Sequence, residues 1–226
     1  MSEESNDKPL ISIVVGVRNM EDTIKSCINS LLNQTYKNKE IIIINDGSDD
    51  KTLPIIQKIK RENKKISFKV ITTEKKGISH ARNLGYELAK GEFVAYSDAD
   101  CILVKNWLDV VIPHFKDPKV ALVGGVTIFR SDNSYSSIYR QIEFEKRYEN
   151  ITKKEVVWAG GPGSIFRKSV LEEIGGFNPN WVHGEDAEIS FLIYEKDYKI
   201  IKENSAITYH VAEKEPVKQI IIIRKN

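Results

Sequence analysis

The chain has 226 residues, 41% of them hydrophobic and 29% charged, enough to bury a sizeable core as one large domain or two small ones. That composition excludes a disordered chain. Its 34 Lys and Arg residues against 32 Asp and Glu leave a formal charge of +2, with Lys spread throughout, so no basic arm or stripe marks a nucleic-acid binder.

Residues 10–17 are a β-branched run read as a buried strand, and residues 21–32 follow with Ile24, Cys27, Ile28, Leu31 and Leu32 at helical spacing. A second strand, residues 40–44, runs into Asn45-Asp46-Gly47-Ser48-Asp49-Asp50, where Ser48 or Asp49 is expected to cap a helix over residues 51–63. A third strand covers residues 67–72, and a helix over residues 78–90 ends at Gly91. Next comes Phe93-Val94-Ala95-Tyr96-Ser97-Asp98-Ala99-Asp100, an apolar run of strand length that ends in two carboxylates one residue apart. Strands alternating with helices through short loops predict a mainly parallel α/β sheet with helices on both faces. Beyond it the spacing predicts a helix over residues 105–115, with Trp107 in the core, and a strand over residues 120–127. Residues 131–137 are polar and turn-rich, and residues 138–148 read as an amphipathic helix. A loop over residues 158–163 leads to a strand at 164–167 and a helix at 168–174, and Glu185 and Asp186 open another helix running to about residue 196. Two strands, residues 198–201 and 206–209, precede His210, and residues 217–223 form a last apolar run.

Every informative loop up to residue 100 follows a strand: residues 16–19, 45–50, 75–82 and 97–100. In a parallel sheet such loops gather at one edge and share one crevice. Asp98 and Asp100 would raise each other's proton affinity there unless a cation or hydrogen bonds compensate, and a divalent metal held by oxygens is the simplest such cation. The plainer alternative has one Asp capping a helix near Val104 and the other solvated in a turn. An Asp in the second loop can accept from an imide N–H or a ribose hydroxyl, and the guanidinium fork of Arg82 suits phosphate oxygens. The metal would neutralise a diphosphate. Together these describe a nucleoside-diphosphate site without a phosphate-cradling glycine loop. Neither G-x-G-x-x-G nor G-x-x-x-x-G-K-[ST] follows a strand, which argues against a dinucleotide dehydrogenase or a P-loop ATPase.

Five ordered motifs carry a resemblance: Ser12-Ile13-Val14-Val15-Gly16-Val17-Arg18-Asn19, Asn45-Asp46-Gly47-Ser48-Asp49-Asp50, Gly77-Ile78-Ser79-His80-Ala81-Arg82-Asn83, Asp98-Ala99-Asp100 and Gly184-Glu185-Asp186. The chain resembles the inverting glycosyltransferases of family 2. The resemblance covers nearly its whole length and implies a single domain of GT-A (Rossmann-like) fold, a mainly parallel sheet sandwiched by helices. A nucleotide-binding half would span about residues 9–103, and a smaller, mixed acceptor-binding half about residues 104–215. The implied activity is transfer of a sugar from a UDP- or GDP-linked donor to a hydroxyl of a sugar or lipid-linked acceptor, with Mn²⁺ or Mg²⁺ as cofactor, in glycan, polysaccharide or glycolipid synthesis. Val15, Val17, Asn19, Asp46, Arg82 and Asp98 would bind the nucleotide sugar: the backbone near Val15 and the side chain of Asp46 at the base, Arg82 at base or diphosphate, and Asp98 at the ribose. Asp100 would face the metal, and His210, in Thr208-Tyr209-His210, looks like the His that completes metal binding in several members; taken alone it reads as a surface His. Asp186 matches the catalytic base, while Glu185 is expected to orient the acceptor or cap the helix. Trp158 and Trp181 lie in loops flanking the acceptor side, where an indole either stacks on a sugar face or anchors its loop. The chain departs from many relatives at Leu192, where an Arg is common, at Asp197, where a Gly is, and at Val104 or Lys105, where a proline often follows the D-x-D. Asp, unlike most residues, can take the left-handed conformation that a helix-ending Gly supplies.

Three rivals use the same residues. A haloacid-dehalogenase-like phosphatase would carry its D-x-D near the chain start, followed by Gly-Thr, whereas here Cys101-Ile102 follows. A nucleotidyltransferase would show a Gly-rich loop and Lys after Val17. A non-catalytic nucleotide-sugar or glycan-binding module would not need the full acidic set. Cys27, read as helix packing, and Cys101 lack metal-ligand spacing and fit a reducing compartment; residues 1–8 lack a signal core, and no run reaches about 18 apolar residues. The expectation is a cytoplasmic protein, or one at the cytoplasmic face of a membrane, with residues 216–226 beginning a longer C-terminal extension that associates peripherally. Asn150-Ile151-Thr152 is then a chance glycosylation match.

Overall fold

The computed structural model describes residues 8–130, 138, 139, 142, 146, 154–181 and 184–211. Its first half alternates strand and helix: β1 (Ile11–Val17), α1 (Ile24–Leu32), β2 (Lys39–Asp46), α2 (Thr52–Glu62), β3 (Ser67–Thr73), α3 (Ile78–Leu88) and β4 (Phe93–Tyr96). There follow β5 (Cys101–Leu103), α4 (Trp107–Val111) with a 3-10 turn at Ile112–Lys116, and β6 (Val120–Arg130). The last described elements are β7 (Glu155–Val156), β8 (Ser164–Arg167), α5 (Lys168–Ile174), α6 (Glu185–Glu195) and β9 (Lys199–Val211).

One sheet collects these strands in the order β3-β2-β1-β4-β8-β6-β9-β5, with β7 on β9. The pairs among β1 to β4 are all parallel. Past β4 the sheet is mixed: β8 runs antiparallel to β4 and β6, β9 parallel to β6, and β5 and β7 antiparallel to β9. The expected α/β architecture is thus borne out. Alternate side chains of the inner strands feed two cores. Ile11, Ile13, Val15, Ile41 and Ile43 pack with α1, α2 and Trp107 on one face, while Val14, Ile42 and Ile44 pack with α3, α5 and α6 on the other. Burial on both faces explains why these strands read as unbroken β-branched runs. Helix α3 lies so close to β1 that a Cβ on Gly85 would stand 2.2 Å from Val14 Cγ1, so that position needs glycine.

Several boundaries differ from the sequence reading, for local reasons. Neither Ser48 nor Asp49 caps α2; Asp50 Oδ1 instead accepts from Thr52 N at 2.9 Å. The helix over 105–115 is shorter, because Pro113 sits in a final 3-10 turn. The two C-terminal strands are the two ends of β9, which flank residues 203–206 where the register against β6 slips between Gly124 and Val126. Residues 101–103, given no element from sequence, form β5, and Asp197 has φ 58, the left-handed conformation expected after α6. Of the helix expected at 138–148, Ile138, Tyr139, Ile142 and Lys146 are helical; the remainder, like residues 131–137 and 217–223, lies outside the described residues. No helix among the described residues is long and apolar enough to cross a membrane.

Candidate active site

The carboxyl ends of β1, β2 and β4, together with α3, enclose a cavity of ≈ 410 Å³. Gly16, Val17 and Arg18 form its wall on the β1 side, and Asp46, Arg82, Asp98, Asp100 and Glu185 supply its ionisable lining. The loops after β1 and β2 are braced against each other. Asn19, with φ 52, donates its N–H to Ser48 Oγ at 3.1 Å and accepts from Asp49 N through Oδ1 at 3.0 Å. Met20 N donates to Thr52 Oγ1 at 2.8 Å, Glu21 N donates to Asp50 Oδ2 at 3.1 Å, and Glu21 Oε2 accepts from Lys51 N at 2.9 Å. Asn19 therefore shapes the cavity rim from behind and is not in the lining. Val15 is fully buried, with its side chain in the core.

Asp46 ends β2 and is only 6% exposed. Its Oδ1 accepts from Thr73 Oγ1 at 3.0 Å and Lys76 N at 2.8 Å, and its Oδ2 accepts from Gly77 N at 2.8 Å. Gly77 turns at φ 93 to aim that N–H, a conformation costly for other residues. Arg82, one turn into α3, donates Nη1 to Glu185 Oε1 at 2.6 Å and Nη2 to Asp98 Oδ1 at 3.3 Å, with its guanidinium 5.4 Å from the Phe177 ring centre. Burial works against its charge, but Asp98 and Glu185 outweigh this and hold its pKa above the ordinary value. The structure thus gives Glu185 a partner in the cavity wall.

Asp100 and His210 meet because β5 pairs antiparallel with β9, setting Cys101 opposite His210. Asp100 Oδ2 lies 3.3 Å from His210 Nε2, and Val211 N donates to Asp100 O at 2.9 Å. The imidazole stacks on Phe129 at 4.4 Å, and its buried Nδ1 has no hydrogen-bond partner among the described residues. Cys101 joins this group, since ligand atoms of Asp100, Cys101 and His210 all lie within 4.8 Å of one another. Burial first, with Asp98 adding and His210 opposing, raises the Asp100 carboxyl above its usual range. A carboxylate oxygen and an imidazole nitrogen at this spacing are a pair of donors that a divalent cation can share.

Asp186 sits in the first turn of α6, after Gly184 at φ 86. Its Oδ1 accepts from Ala187 N at 2.9 Å. Its side chain lies against Gly160, where a Cβ would come within 2.5 Å of Asp186 Oδ2. Ser190 Oγ ties the same helix turn to Ala159 O at 3.2 Å. Burial, then the neighbouring charge of Glu185, pushes the Asp186 carboxyl above its ordinary value, with Ala187 N and Arg82 opposing. Trp158 is half-buried, Trp181 is 48% exposed, and Trp107 is fully buried in the core as expected.

The family model described as Glycosyl transferase family 2 matches residues 12–175. The chain belongs to this family. It is 31% identical over 205 residues to poly-beta-1,6-N-acetyl-D-glucosamine synthase of Staphylococcus aureus, covering 88% of this chain and 49% of that protein. The chain spans about half the length of the curated relatives it matches. Among solved structures it superposes on the mannosyltransferase PcManGT from Pyrobaculum calidifontis in complex with GDP-Man and Mn²⁺, with a TM-score of 0.78 at 20% identity over 99% of this chain and 63% of that one. It also superposes on S. aureus TarS 1–349 in complex with UDP-GlcNAc, with a TM-score of 0.74 at 20% identity over 92% and 60% of the two chains. These likenesses establish the GT-A fold for this glycosyltransferase chain.

Sequence reasoning missed four features of this site. The ion pair of Glu185 with Arg82 joins residues 103 positions apart, and no local pattern announces it. Arg18, in the lining, belongs to the first motif but was given no role, and Cys101, read as lacking metal-ligand spacing, lies with Asp100 and His210. Gly160 belongs to a stretch read only as a loop, whereas its missing Cβ makes room for Asp186.

Proposed function

We propose that this chain transfers a sugar, with inversion, from a nucleoside-diphosphate sugar to a hydroxyl acceptor, and that a divalent cation assists. The observation that carries the reading is the meeting of Asp100 and His210, 3.3 Å apart, at the edge of a cavity that also holds Asp46, Arg82 and Asp98. Asp100 and His210 are the residues to hold Mn²⁺ or Mg²⁺, which when bound supplies positive charge for the diphosphate of the donor. Asp46 orients the base, with the backbone at Gly16–Arg18 as the adjoining wall, and Asp98 takes the ribose. Arg82 holds Asp98 and Glu185 in place while its charge favours the phosphates.

Asp186 is the general base. It removes the proton from the acceptor hydroxyl as that oxygen bonds to the anomeric carbon; the bond from that carbon to the diphosphate oxygen breaks in the same displacement, so configuration inverts. A carboxyl pushed above its ordinary range is a better base for this task at neutral pH. Trp158 and Trp181 belong to the acceptor side, within the half formed by residues 104–215. The acceptor class is a hydroxyl of a growing glycan or lipid-linked sugar. The free, buried Cys27 and Cys101 support a reducing, cytoplasmic setting. Isothermal titration with UDP and GDP, in Mn²⁺ and then in EDTA, tests the donor reading. Binding that needs the metal is expected; equal affinity in EDTA would sink it.

A further inference from the structure

Asp100 and His210 have a third neighbour of different chemistry. Antiparallel pairing sets Cys101 directly opposite His210, so the two side chains leave the same face of the β5–β9 pair. Cys101 Sγ donates to Asp100 Oδ1 at 3.4 Å, Asp100 Oδ2 stands 3.3 Å from His210 Nε2, and ligand atoms of the three residues all lie within 4.8 Å of one another. We infer that Cys101 is a third ligand in the site of Asp100 and His210, and that its sulfur makes the site favour Zn²⁺ over Mn²⁺ and Mg²⁺. The inference rests on the proposed reading of Asp100 and His210 as the residues that hold a divalent cation.

Spacing and donor type carry the inference. Oxygen and nitrogen ligands lie about 2.1 Å from Zn²⁺ and sulfur about 2.3 Å, so neighbouring donors of a tetrahedral shell are about 3.4 to 3.6 Å apart. The separations on the two oxygens of Asp100, 3.3 Å to His210 and 3.4 Å to Cys101, are of that size. Three protein donors also leave a fourth position open, which a diphosphate oxygen can fill. Mg²⁺ and Mn²⁺ favour carboxylate, carbonyl and water oxygens, whereas a thiolate selects Zn²⁺. Asp100 and His210 alone leave that choice open; the sulfur decides it. Cys101 is fully buried and Asp100 is 9% exposed, a poor setting for Mg²⁺, which keeps several of its waters. As the ion enters, the thiol proton now donated to Asp100 leaves for solvent and the thiolate takes its place as a ligand. Cys27 is the natural control. It is as deeply buried, but its Sγ donates to the main-chain oxygen of Asp98 at 3.3 Å and it stands outside the cluster.

Cobalt reports on the sulfur, because Co²⁺ occupies sites built for Zn²⁺ and its bond to a thiolate absorbs in the near ultraviolet. Titrating the reduced chain with Co²⁺ alone should produce that absorption, and Zn²⁺ should abolish it by displacement. Cys101→Ser and Cys101→Ala should lose the band, while Cys27→Ala keeps it; melting curves check that each variant folds. Calorimetry with Zn²⁺ and with Mn²⁺ then reads the preference, expected at about 100-fold or more for Zn²⁺. In Cys101→Ser it should shrink by about tenfold or more through a loss for Zn²⁺, with Mn²⁺ affinity nearly unchanged. Co²⁺ that binds without the sulfur band overturns the inference, and so does a Zn²⁺ preference that Cys101→Ser leaves unchanged. Failure of all three ions to bind, with UDP or GDP present or absent, is a different result: it removes the reading of Asp100 and His210 as metal holders, and the inference with it.

Discussion

Asp46 lines the cavity and Asp186 stands next to Glu185, which also lines it, yet the surroundings of the two carboxylates differ. Three donors from β3 and the loop after it hold Asp46, and its residue pairs with Thr73 in a parallel ladder. Asp186 accepts from Ala187 N within its own helix turn and lies between a glycine and a second carboxylate. A carboxylate held by three donors is fixed in orientation and suited to recognition. One that is half-desolvated and next to Glu185 is suited to accept a proton. The same contrast runs through the two halves. The side proposed for the donor is braced before any ligand arrives, by the bonds between the first two loops and by the two ion pairs of Arg82, whereas the side of the proposed base depends on how α6 packs over residues 159–160.

The most severe break of this contrast is Asp186→Asn, which keeps size but cannot take the proton. Transfer should fall by about 10²-fold or more while the affinity for UDP or GDP stays near wild type. Kinetics with a working donor and acceptor, set beside titration of the nucleotide alone, give both numbers. Near-normal transfer would move the base to Glu185 or elsewhere. Gly160→Ala attacks the same residue from outside, because the new Cβ would lie 2.5 Å from Asp186 Oδ2. Displacing the carboxylate by a fraction of an ångström should cost about tenfold in kcat, again without loss of nucleotide binding. A variant that turns over normally would show that the loop yields instead.

On the donor side the signature reverses. Asp100→Ala should weaken Mn²⁺-dependent nucleotide binding by about tenfold or more and lower turnover with it. His210→Ala should do the same more mildly, by several-fold, since one imidazole is lost and Asp100 remains. Titration with and without Mn²⁺ separates these from Asp186→Asn; a metal dependence intact in His210→Ala would leave that ring a merely structural neighbour of Phe129.

How far the sequence showed this site depends on the range of the interactions that build it. Buried parallel strands are continuous apolar runs, so β1 to β4, the loops after them and the Asp98–Asp100 pair stand out. The contacts that complete the site are long-range. Three residues, Cys101 to Leu103, are too few to show a period, yet their pairing with β9 is what delivers His210 to Asp100. Asn19 is expected at the nucleotide from its place in the first motif, and its Oδ1 also holds the second loop. Local pattern reports which strand end a residue occupies, whereas the partner of its side chain depends on the far end of the chain.

The mildest change, Glu185→Gln, tests whether the two sides communicate. Glu185 stands next to the proposed base and is bonded at 2.6 Å to Arg82, which also holds Asp98, so it touches both sides at once. Its charge is a cause, second to burial, of the raised Asp186 carboxyl, while Arg82 pulls the other way. Asp186 works only when ionised, so activity should rise with pH through its folded-state pKa, and that limb should lie above the ordinary carboxylate value of about 4. Neutralising Glu185 removes the repulsion and leaves Arg82 less compensated. Both effects lower the Asp186 pKa, so the acid limb should move to lower pH. Burial is unchanged in Glu185→Gln, so the limb should not fall all the way to the value of a solvated Asp. At neutral pH kcat should drop only several-fold, because the amide oxygen can still accept from Arg82 and hold α6 in place. A pH-rate profile of Glu185→Gln against wild type decides the matter. An unmoved limb with lowered kcat would reduce Glu185 to a tether, and a limb shifted to higher pH would contradict the electrostatic reading of the pair.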